Sequence, residues 1–253
     1  MDTSRGMRLD EHKVIIFDLG GTLYEPAGEF CGIIRRFLGE IGIVIEESMT
    51  DEDLSQIVAE SAESWLEEYM LSEGVGQYWE PPREIWVEYD KRFLSALGIE
   101  GNLDHLAHEY QKRWDALIHG LTANLLPNVK ESLERLQEAG FRLAIASNRF
   151  TDPSDYFERD GIADFFETVE YTQIPGYRKP SPYMLLKVAS TMKVNPRLCI
   201  YVGNIVQYDV VAAERADMTS VLLSWVDAEE VDKAPSTTHI FEHIDDFVDA
   251  VTG

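Results

Sequence analysis

The chain has 253 residues, of which 45% are hydrophobic and 27% charged, a composition that allows one sizeable core together with an insertion. Its formal net charge of −24 argues against non-specific binding to nucleic acid or to an anionic membrane, because both would repel it. A small anionic substrate is compatible with this charge, since a cation in one pocket acts locally and distant charges are screened beyond about 8 Å.

The sequence shows no pattern typical of export or membrane insertion. The segment from Met1 to Lys13 mixes charges without an apolar core, and no apolar run approaches the roughly 18 residues that a membrane span needs. Two cysteines, Cys31 and Cys199, are too few and too far apart for a disulfide framework, which favours a reducing compartment. We therefore expect a cytoplasmic protein with neither a nucleic-acid nor a membrane partner.

The first predicted element is a short buried strand from Val14 to Phe17, an apolar, β-branched run that ends at Asp18. Two glycines, Gly20 and Gly21, then indicate a tight loop. From residue 26 to residue 126, apolar and aromatic residues recur at helical spacing among many acidic ones. This part of the sequence predicts a separate, mostly helical unit.

Downstream of that unit, predicted helices and strands alternate. The elements are a helix over residues 129–139, a strand over 141–146, a helix near 153–160, a strand near 168–171, a helix over 182–192, a strand over 198–202, a helix over 206–216 and a strand over 219–223. Strands separated by helices predict a parallel sheet that is covered on both faces. We therefore predict an α/β fold with a Rossmann-like core domain (residues 1–25 and 127–253) and an inserted all-α cap domain (residues 26–126).

Polar residues follow several of the predicted strands. Asp18 ends the first strand, Ser147 and Asn148 end the second, Lys179 precedes a helix, and residues 204–209 follow a late strand. In open α/β sheets ligands bind at the carboxyl ends of the strands. Four such signals in four separate loops predict a single site at this edge of the sheet.

The order of these signals resembles that of the haloacid dehalogenase superfamily of hydrolases over nearly the whole chain. The first motif of that family, Asp-x-Asp-Gly-Thr-Leu, is similar to residues 18–23, which read DLGGTL. The second matches Ser147, the third matches Lys179, and the fourth, Gly-Asp-x-x-x-x-Asp, is similar to residues 203–209, which read GNIVQYD. The resemblance implies a hydrolase that forms an aspartyl intermediate, and it identifies residues 26–126 with the helical cap of many members.

The chemistry of these residue types is consistent with that activity. Asp18 is a carboxylate that can attack phosphorus or carbon as a nucleophile. Ser147 and the backbone amide of Asn148 can bind an oxyanion of a small anionic substrate. Lys179 can bind the same substrate and hold Asp18 ionised.

A metal site is also expected. Asp18, the carbonyl oxygen of Gly20, Asn204 and Asp209 supply the hard oxygen ligands that Mg²⁺ prefers. The family's fourth motif usually has an acidic residue where this chain has Asn204, so the expected affinity for Mg²⁺ is reduced.

A second departure concerns Gly20. Phosphatases of the family usually have an acid at this position that protonates the leaving group, a contribution of about 10²- to 10⁴-fold. Three interpretations follow: a Mg²⁺-dependent phosphatase of a small metabolite, with an activated phosphate as one option; a metal-independent 2-haloacid dehalogenase or related hydrolase; or a weakly catalytic or non-catalytic binding protein. We favour the phosphatase among the three, and the presence of Asp18, Ser147, Lys179 and Asp209 favours a catalytic protein over a non-catalytic one.

Overall fold

Alternating β-branched strands and amphipathic helices build a parallel sheet in the computed structural model, which describes residues 12–26, 30–46, 48–120 and 124–253. The chain divides into two units, one of residues 1–26 with 123–253 and one of residues 27–122. Residues 1–11, which include most of the segment expected to lack a targeting signal, lie outside the described residues. Within the described ranges, no helix combines the length and the apolar character required to cross a bilayer.

The first unit contains a six-stranded sheet in the order β3-β2-β1-β4-β5-β6, with every neighbouring pair parallel. Its strands are β1 (Val14–Phe17), β2 (Arg142–Ser147), β3 (Phe166–Tyr171), β4 (Cys199–Gly203), β5 (Thr219–Leu223) and β6 (His239–Phe241). Phe17 pairs with Ile145 of β2 and with Val202 of β4. The carboxyl ends of these three central strands therefore lie side by side.

Helices cover both faces of this sheet. They are α6 (Val129–Glu138), α7 (Ser154–Asp160), α8 (Tyr183–Thr191), α9 (Val211–Arg215), α10 (Glu230–Lys233) and α11 (Ile244–Thr252). Alternate residues of β1 point to opposite faces, so Ile15 and Phe17 pack with α6 and α11, whereas Val14 and Ile16 pack with α8 and α9. Apolar residues on both faces explain why β1 reads as an uninterrupted apolar run.

The second unit is helical. Its helices are α1 (Phe30–Glu40), α2 (Asp51–Val58), α3 (Ser64–Glu73), α4 (Arg83–Ala96) and α5 (Leu103–Gly120), with a π-helical turn (Ala59–Glu63) between α2 and α3. Helix α2 begins at a capping box, in which Thr50 and Asp53 each bind the other's backbone amide. Residues such as Leu38, Leu54 and Phe93 form a buried core that is separate from the sheet.

The predicted fold class, a parallel α/β core with an inserted helical domain, is confirmed. The sequence prediction missed β6 and α10, because runs of three and four residues are too short to show a period. It also treated residues 206–216 as one helix, whereas the structure has a π-helical turn (Val206–Val210) before α9.

Candidate active site

Asp18 lies directly after β1, at the centre of the sheet. Its backbone amide donates to the carbonyl oxygen of Val202 at 2.9 Å, so the β1–β4 ladder continues to this residue. The residue is 8% exposed. Burial raises the pKa of Asp18, the charge of Lys179 acts to lower it, and the charge of Asp209 adds to the rise.

Lys179 brings the predicted polar residues together. Its Nζ donates to Oδ1 of Asp18 at 2.7 Å, to Oδ1 of Asp209 at 2.6 Å and to the hydroxyl of Tyr201 at 2.7 Å. An ammonium group has three hydrogens, so these three acceptors use all of them. Burial acts to lower the pKa of Lys179, but the charges of Asp18 and Asp209 outweigh it and hold that pKa above its ordinary value. Lys179 therefore stays charged.

The main chain of Lys179 is fixed by the side chain of Asn148. The amide nitrogen of Asn148 donates to the carbonyl oxygen of Lys179 at 3.0 Å, and its Oδ1 accepts from the backbone amide of Lys179 at 2.8 Å. Arg215 also donates to the carbonyl oxygen of Pro180 at 2.9 Å. Sequence reasoning assigned Asn148 through its backbone amide, whereas its side chain connects the end of β2 to the lysine loop.

Asp209 is 2% exposed and accepts hydrogen bonds at both carboxylate oxygens. Oδ1 accepts from Lys179 and lies 3.3 Å from the Tyr201 hydroxyl, while Oδ2 accepts from the backbone amides of Asn204 at 3.0 Å and Ile205 at 2.9 Å. A Cβ at Gly203 would lie 2.3 Å from Cγ of Asp209. Glycine is therefore required at the end of β4 for Asp209 to reach this position.

Asn204 packs against the loop that follows Asp18. Gly21 has a φ of +76°, and a Cβ there would lie 2.6 Å from Nδ2 of Asn204. The Oδ1 atom of Asn204 is buried and has no hydrogen-bond partner within the described part of the chain. A buried oxygen without a donor is the kind of atom that a cation would satisfy.

The oxygen donors fit Mg²⁺. The carboxylates of Asp18 and Asp209 and the unpartnered Oδ1 of Asn204 belong to neighbouring loops, and hard oxygen ligands of this kind suit that ion. Asp209 already accepts hydrogen bonds from Lys179 and from the backbone amides of Asn204 and Ile205, and no cluster of three or more His, Cys, Asp or Glu that could hold a metal occurs among the described residues. The carboxylate contribution is therefore limited to two groups, as the sequence indicates.

Ser147 and Gly20 lie at the same edge of the sheet. Ser147 ends β2, two residues beyond the partner of Phe17, and is buried. Gly20 is exposed and forms an isolated bridge with Tyr24. A Cβ at Gly20 would have no other atom within 4 Å, so this position has room for a side chain.

Sequence reasoning missed Tyr201. Tyr201 reads as an ordinary core residue of β4, but its hydroxyl accepts from Lys179 and donates to the carbonyl oxygen of Ala146 at 2.9 Å. Burial, reinforced by the charge of Asp209, raises the pKa of Tyr201 well above its ordinary value. The only signal in the sequence that could have suggested this role is the hydroxyl of Tyr201, a polar group near the end of the apolar strand β4.

The arrangement supports nucleophilic chemistry. A buried carboxylate that accepts a hydrogen bond from an ammonium group is desolvated and held in one orientation, and these are the conditions for attack on an electrophile. The second carboxylate, Asp209, accepts a hydrogen bond from the same ammonium.

Comparisons with known proteins give the family and the relatives that this chain resembles. The family model for haloacid dehalogenase-like hydrolases matches residues 12–217. Phosphoglycolate phosphatase from Aquifex aeolicus (strain VF5) is 24% identical over 215 residues, which cover 84% of this chain and 85% of that protein. Glyceraldehyde 3-phosphate phosphatase from Methanothermobacter thermautotrophicus (strain ATCC 29096 / DSM 1053 / JCM 10044 / NBRC 100330 / Delta H) is 24% identical over 220 residues, which cover 84% of this chain and 85% of that protein.

A similar fold is present in the crystal structure of a 2-haloacid dehalogenase from Pseudomonas syringae pv. Tomato DC3000. The two structures superpose with a TM-score of 0.62 at 22% identity, and the match covers 95% of this chain and 98% of that one. At this level of identity the likeness concerns the fold.

Proposed function

The chain belongs to the haloacid dehalogenase-like hydrolases, and from this premise we propose that it is a phosphatase of a small phosphorylated metabolite with Asp18 as the nucleophile. The observation that supports the proposal most is the buried cluster in which Lys179 binds Asp18, Asp209 and Tyr201 at once. A lysine at a solvent-exposed position would have been equally compatible with the sequence. At 2% exposure, this one is committed to the nucleophile.

In the proposed reaction, a carboxylate oxygen of Asp18 attacks the phosphorus of the substrate. The bond from phosphorus to the leaving oxygen breaks, and that oxygen departs with the electron pair. Water then attacks the aspartyl phosphate, the carboxylate of Asp18 leaves, and the products are inorganic phosphate and one proton released to solvent. Dividing one displacement into two lets an enzyme carboxylate serve first as nucleophile and then as leaving group.

We propose that three sets of groups bind the phosphoryl group and neutralise its charge. Ser147 and the backbone amide of Asn148 bind its oxygens, and Lys179 contributes positive charge. Mg²⁺, held by Asp18, the carbonyl oxygen of Gly20, Asn204 and Asp209, would supply further charge neutralisation. Besides binding the phosphoryl group, Lys179 orients Asp18 through its hydrogen bond, and burial keeps Asp18 desolvated.

The helical unit is proposed to act as the cap, with domain boundaries at residues 1–25 and 127–253 for the core and 26–126 for the insertion. Its sequence has 20 acidic residues against 7 basic ones. Such a balance disfavours polyanionic substrates and favours a compact one with a single phosphoryl group.

Replacement of the nucleophile tests this function. Hydrolysis of an aryl phosphate by the purified protein with Mg²⁺ is expected to be abolished in Asp18→Asn, since an amide oxygen is a poor nucleophile. Asp155→Asn, an exposed aspartate of α7, is the matched control and keeps full activity. Unchanged turnover in Asp18→Asn would remove Asp18 from its role.

Dehalogenation is the alternative, because halide departs without a proton and the site has no acid at Gly20. The family's dehalogenases are expected to bind halide through an arginine early in the cap, but Arg35 is bound to Asp51 and to the carbonyl oxygen of Met49. Release of halide from a 2-haloacid in the presence of a chelator, without any phosphatase activity, would favour this alternative.

A further inference from the structure

The segment that follows β5 contacts two loops of the candidate site. Nε1 of Trp225 donates to the carbonyl oxygen of Gly21 at 2.9 Å, three residues after the nucleophile. Oε2 of Glu230 accepts from the backbone amide of Val206 at 2.6 Å, two residues after Asn204. One short stretch of chain therefore holds the loop of Asp18 at one end and the loop of Asn204 at the other.

The two loops that this segment holds also touch each other. The side chain of Asn204 lies against the α-carbon of Gly21, at a place where a Cβ would not fit. Gly21 is thus held at its carbonyl oxygen by Trp225 and at its α-carbon by Asn204. The nucleophile loop, the Asn204 loop and the segment after β5 therefore each contact the other two.

The segment itself is anchored. The backbone amides of Ser224 and Trp225 donate to the carbonyl oxygens of Phe241 and Glu242, at 2.9 and 3.2 Å. The ring of Trp225 packs against the core under α6 and α11. Glu230 is buried at 8% exposure, and its second oxygen binds Lys233 at 2.7 Å. Each side chain therefore has further contacts besides its hydrogen bond to a loop of the site.

Carboxylates hold three consecutive backbone amides in the Asn204 loop. Asp209 binds the amides of Asn204 and Ile205, and Glu230 binds the amide of Val206. A buried amide that loses its acceptor carries the full cost of its desolvation. Glu230 is therefore needed to keep the backbone of this loop in the orientation that presents Asn204 to Gly21.

We infer that Trp225 and Glu230 are positioning residues that fix the nucleophile loop relative to the Asn204 loop. Neither side chain contacts the carboxylate of Asp18, and their effect on the reaction passes through Gly21 and Val206. The expected effect of these residues on catalysis rests on the proposed function. Their expected effect on the motion of the two loops does not depend on any substrate.

The variants follow from the two hydrogen bonds. Trp225→Phe keeps an aromatic ring and removes the N–H, and Glu230→Leu keeps a buried side chain and removes the acceptor. Glu230→Gln retains an acceptor oxygen and is the conservative rescue. Glu229→Leu, at the exposed neighbouring position, is the matched control.

Amide hydrogen exchange of the free protein is the first measurement. Glu230→Leu is expected to accelerate exchange in residues 19–24, which Glu230 does not touch, and Trp225→Phe is expected to accelerate it in residues 204–206. Glu230→Gln and Glu229→Leu are expected to leave both loops as in the wild type. If each variant loosens only the loop that it contacts, the positioning role is refuted, because each residue would then have a local structural role only.

Steady-state hydrolysis of an aryl phosphate is the second measurement. Trp225→Phe and Glu230→Leu are each expected to lower kcat about tenfold with KM within about twofold, because misplacement of the nucleophile affects the reacting geometry more than binding. The double variant is expected to lose little more than either single one, since both act on the same geometry. Unchanged kcat in both single variants would overturn the inference. Absence of turnover in the wild type would instead count against the proposed function, and the exchange result would still decide the positioning role.

Discussion

Gly20 lies two residues after Asp18, the proposed nucleophile, with free space where a side chain would project. The neighbouring polar groups are committed elsewhere, because Lys179 uses its three hydrogens on Asp18, Tyr201 and Asp209, and the Tyr201 hydroxyl donates to the carbonyl oxygen of Ala146. The hydrogens of these groups are directed at other acceptors and not at the position of a departing alkoxide. The wild-type enzyme is therefore expected to prefer phosphates whose leaving groups are weak bases.

Introducing an acid at this position tests that expectation. In a series of aryl and alkyl phosphates, kcat/KM of the wild type is expected to fall steeply as the pKa of the leaving group rises. Gly20→Asp is expected to flatten this dependence and to raise turnover of alkyl phosphates by up to about 10²-fold, since general acid catalysis contributes about 10²- to 10⁴-fold in established sites.

Gly20→Asn is the control for that experiment, because it has the same size and cannot transfer a proton. It is expected to keep the steep dependence of the wild type. A wild type that hydrolyses alkyl and aryl phosphates at equal rates would show that another group donates the proton, and the expectation would be wrong.

Sequence reasoning identified the residues with charged or reactive groups but not the way they are held. Asp18, Lys179 and Asp209 stand out because carboxylates and ammonium groups follow predicted strands. The roles of the Asn148 side chain and of Tyr201 could not be assigned in the same way. Asn148 binds the main chain of Lys179 and Tyr201 binds its ammonium group, and both contacts depend on distances between residues far apart in sequence. Their roles become visible only when the loops are assembled.

At the scale of elements, α11 docks on α6 through a polar contact as well as an apolar one. Asp245 accepts from the side chains of Asn128 at 2.8 Å and Ser132 at 2.9 Å, and Ser132 is 2% exposed. Asp245→Ala is expected to lower the free energy of unfolding by about 1–2 kcal/mol, because it leaves a buried hydroxyl without its acceptor. Urea denaturation followed by circular dichroism measures this change.

A second aspartate of α11 provides the comparison. Asp249 pairs with Arg135 at 2.7 Å, but its side chain is 70% exposed. Asp249→Ala is expected to cost no more than about 0.5 kcal/mol, since exposed ion pairs contribute little. Equal losses in the two variants would contradict the importance of burial in this contact.

The elements with a clear period were predicted from the sequence, and the short ones were not. An uninterrupted apolar run such as Val14–Phe17 can be recognised because both faces of β1 are buried. The strand His239–Phe241 has one partner strand, β5, and a mixed sequence, so only its pairing identifies it. The π-helical turn at Val206–Val210 depends on the hydrogen bonds of Asp209 and Glu230, which no local pattern predicts.

At the scale of the whole molecule, the helical unit has a buried carboxyl group within its own core. Asp90 of α4 is 3% exposed, and its Oδ2 has no hydrogen-bond partner among the described residues. Burial, with a further contribution from the charge of Asp115, raises the pKa of Asp90 well above its ordinary value of 3.8. The folded unit therefore favours the protonated form of Asp90.

This shift makes the stability of the helical unit depend on pH. The contribution of Asp90 to folding stability is fully present at a pH below the pKa that Asp90 has in the unfolded chain. It is lost as the pH rises through the raised pKa that Asp90 has in the folded protein. The wild type is therefore expected to unfold at a lower temperature at pH 8 than at pH 5. Asp90→Asn is expected to remove that contribution and to stabilise the unit at pH 8 by about 1–3 kcal/mol.

Differential scanning calorimetry across this pH range measures the effect. Asp104→Asn, an aspartate of α5 whose side chain is 67% exposed, is the control and is expected to keep the pH dependence of the wild type. An Asp90→Asn variant with the same pH dependence as the wild type would show that Asp90 does not determine it.

The division of the chain into a sheet unit and a helical unit was predictable from composition, since the helical spacing of residues 26–126 differs from the alternation that follows it. Burial of Asp90 was not predictable, because an acidic residue on a helix in so acidic a segment indicates a solvated face. Its position between Val87 and Phe93 on the buried side of α4 is a property of the assembled unit.

Detection of the covalent intermediate tests the central claim most directly. The protein is mixed with an aryl phosphate and Mg²⁺, quenched with acid during turnover, digested, and analysed by mass spectrometry. We expect one phosphoryl group on the side chain of Asp18, and none after the same treatment of Asp18→Asn. A phosphoryl group on another residue, or rapid turnover without any enzyme-bound phosphoryl group, would contradict the account.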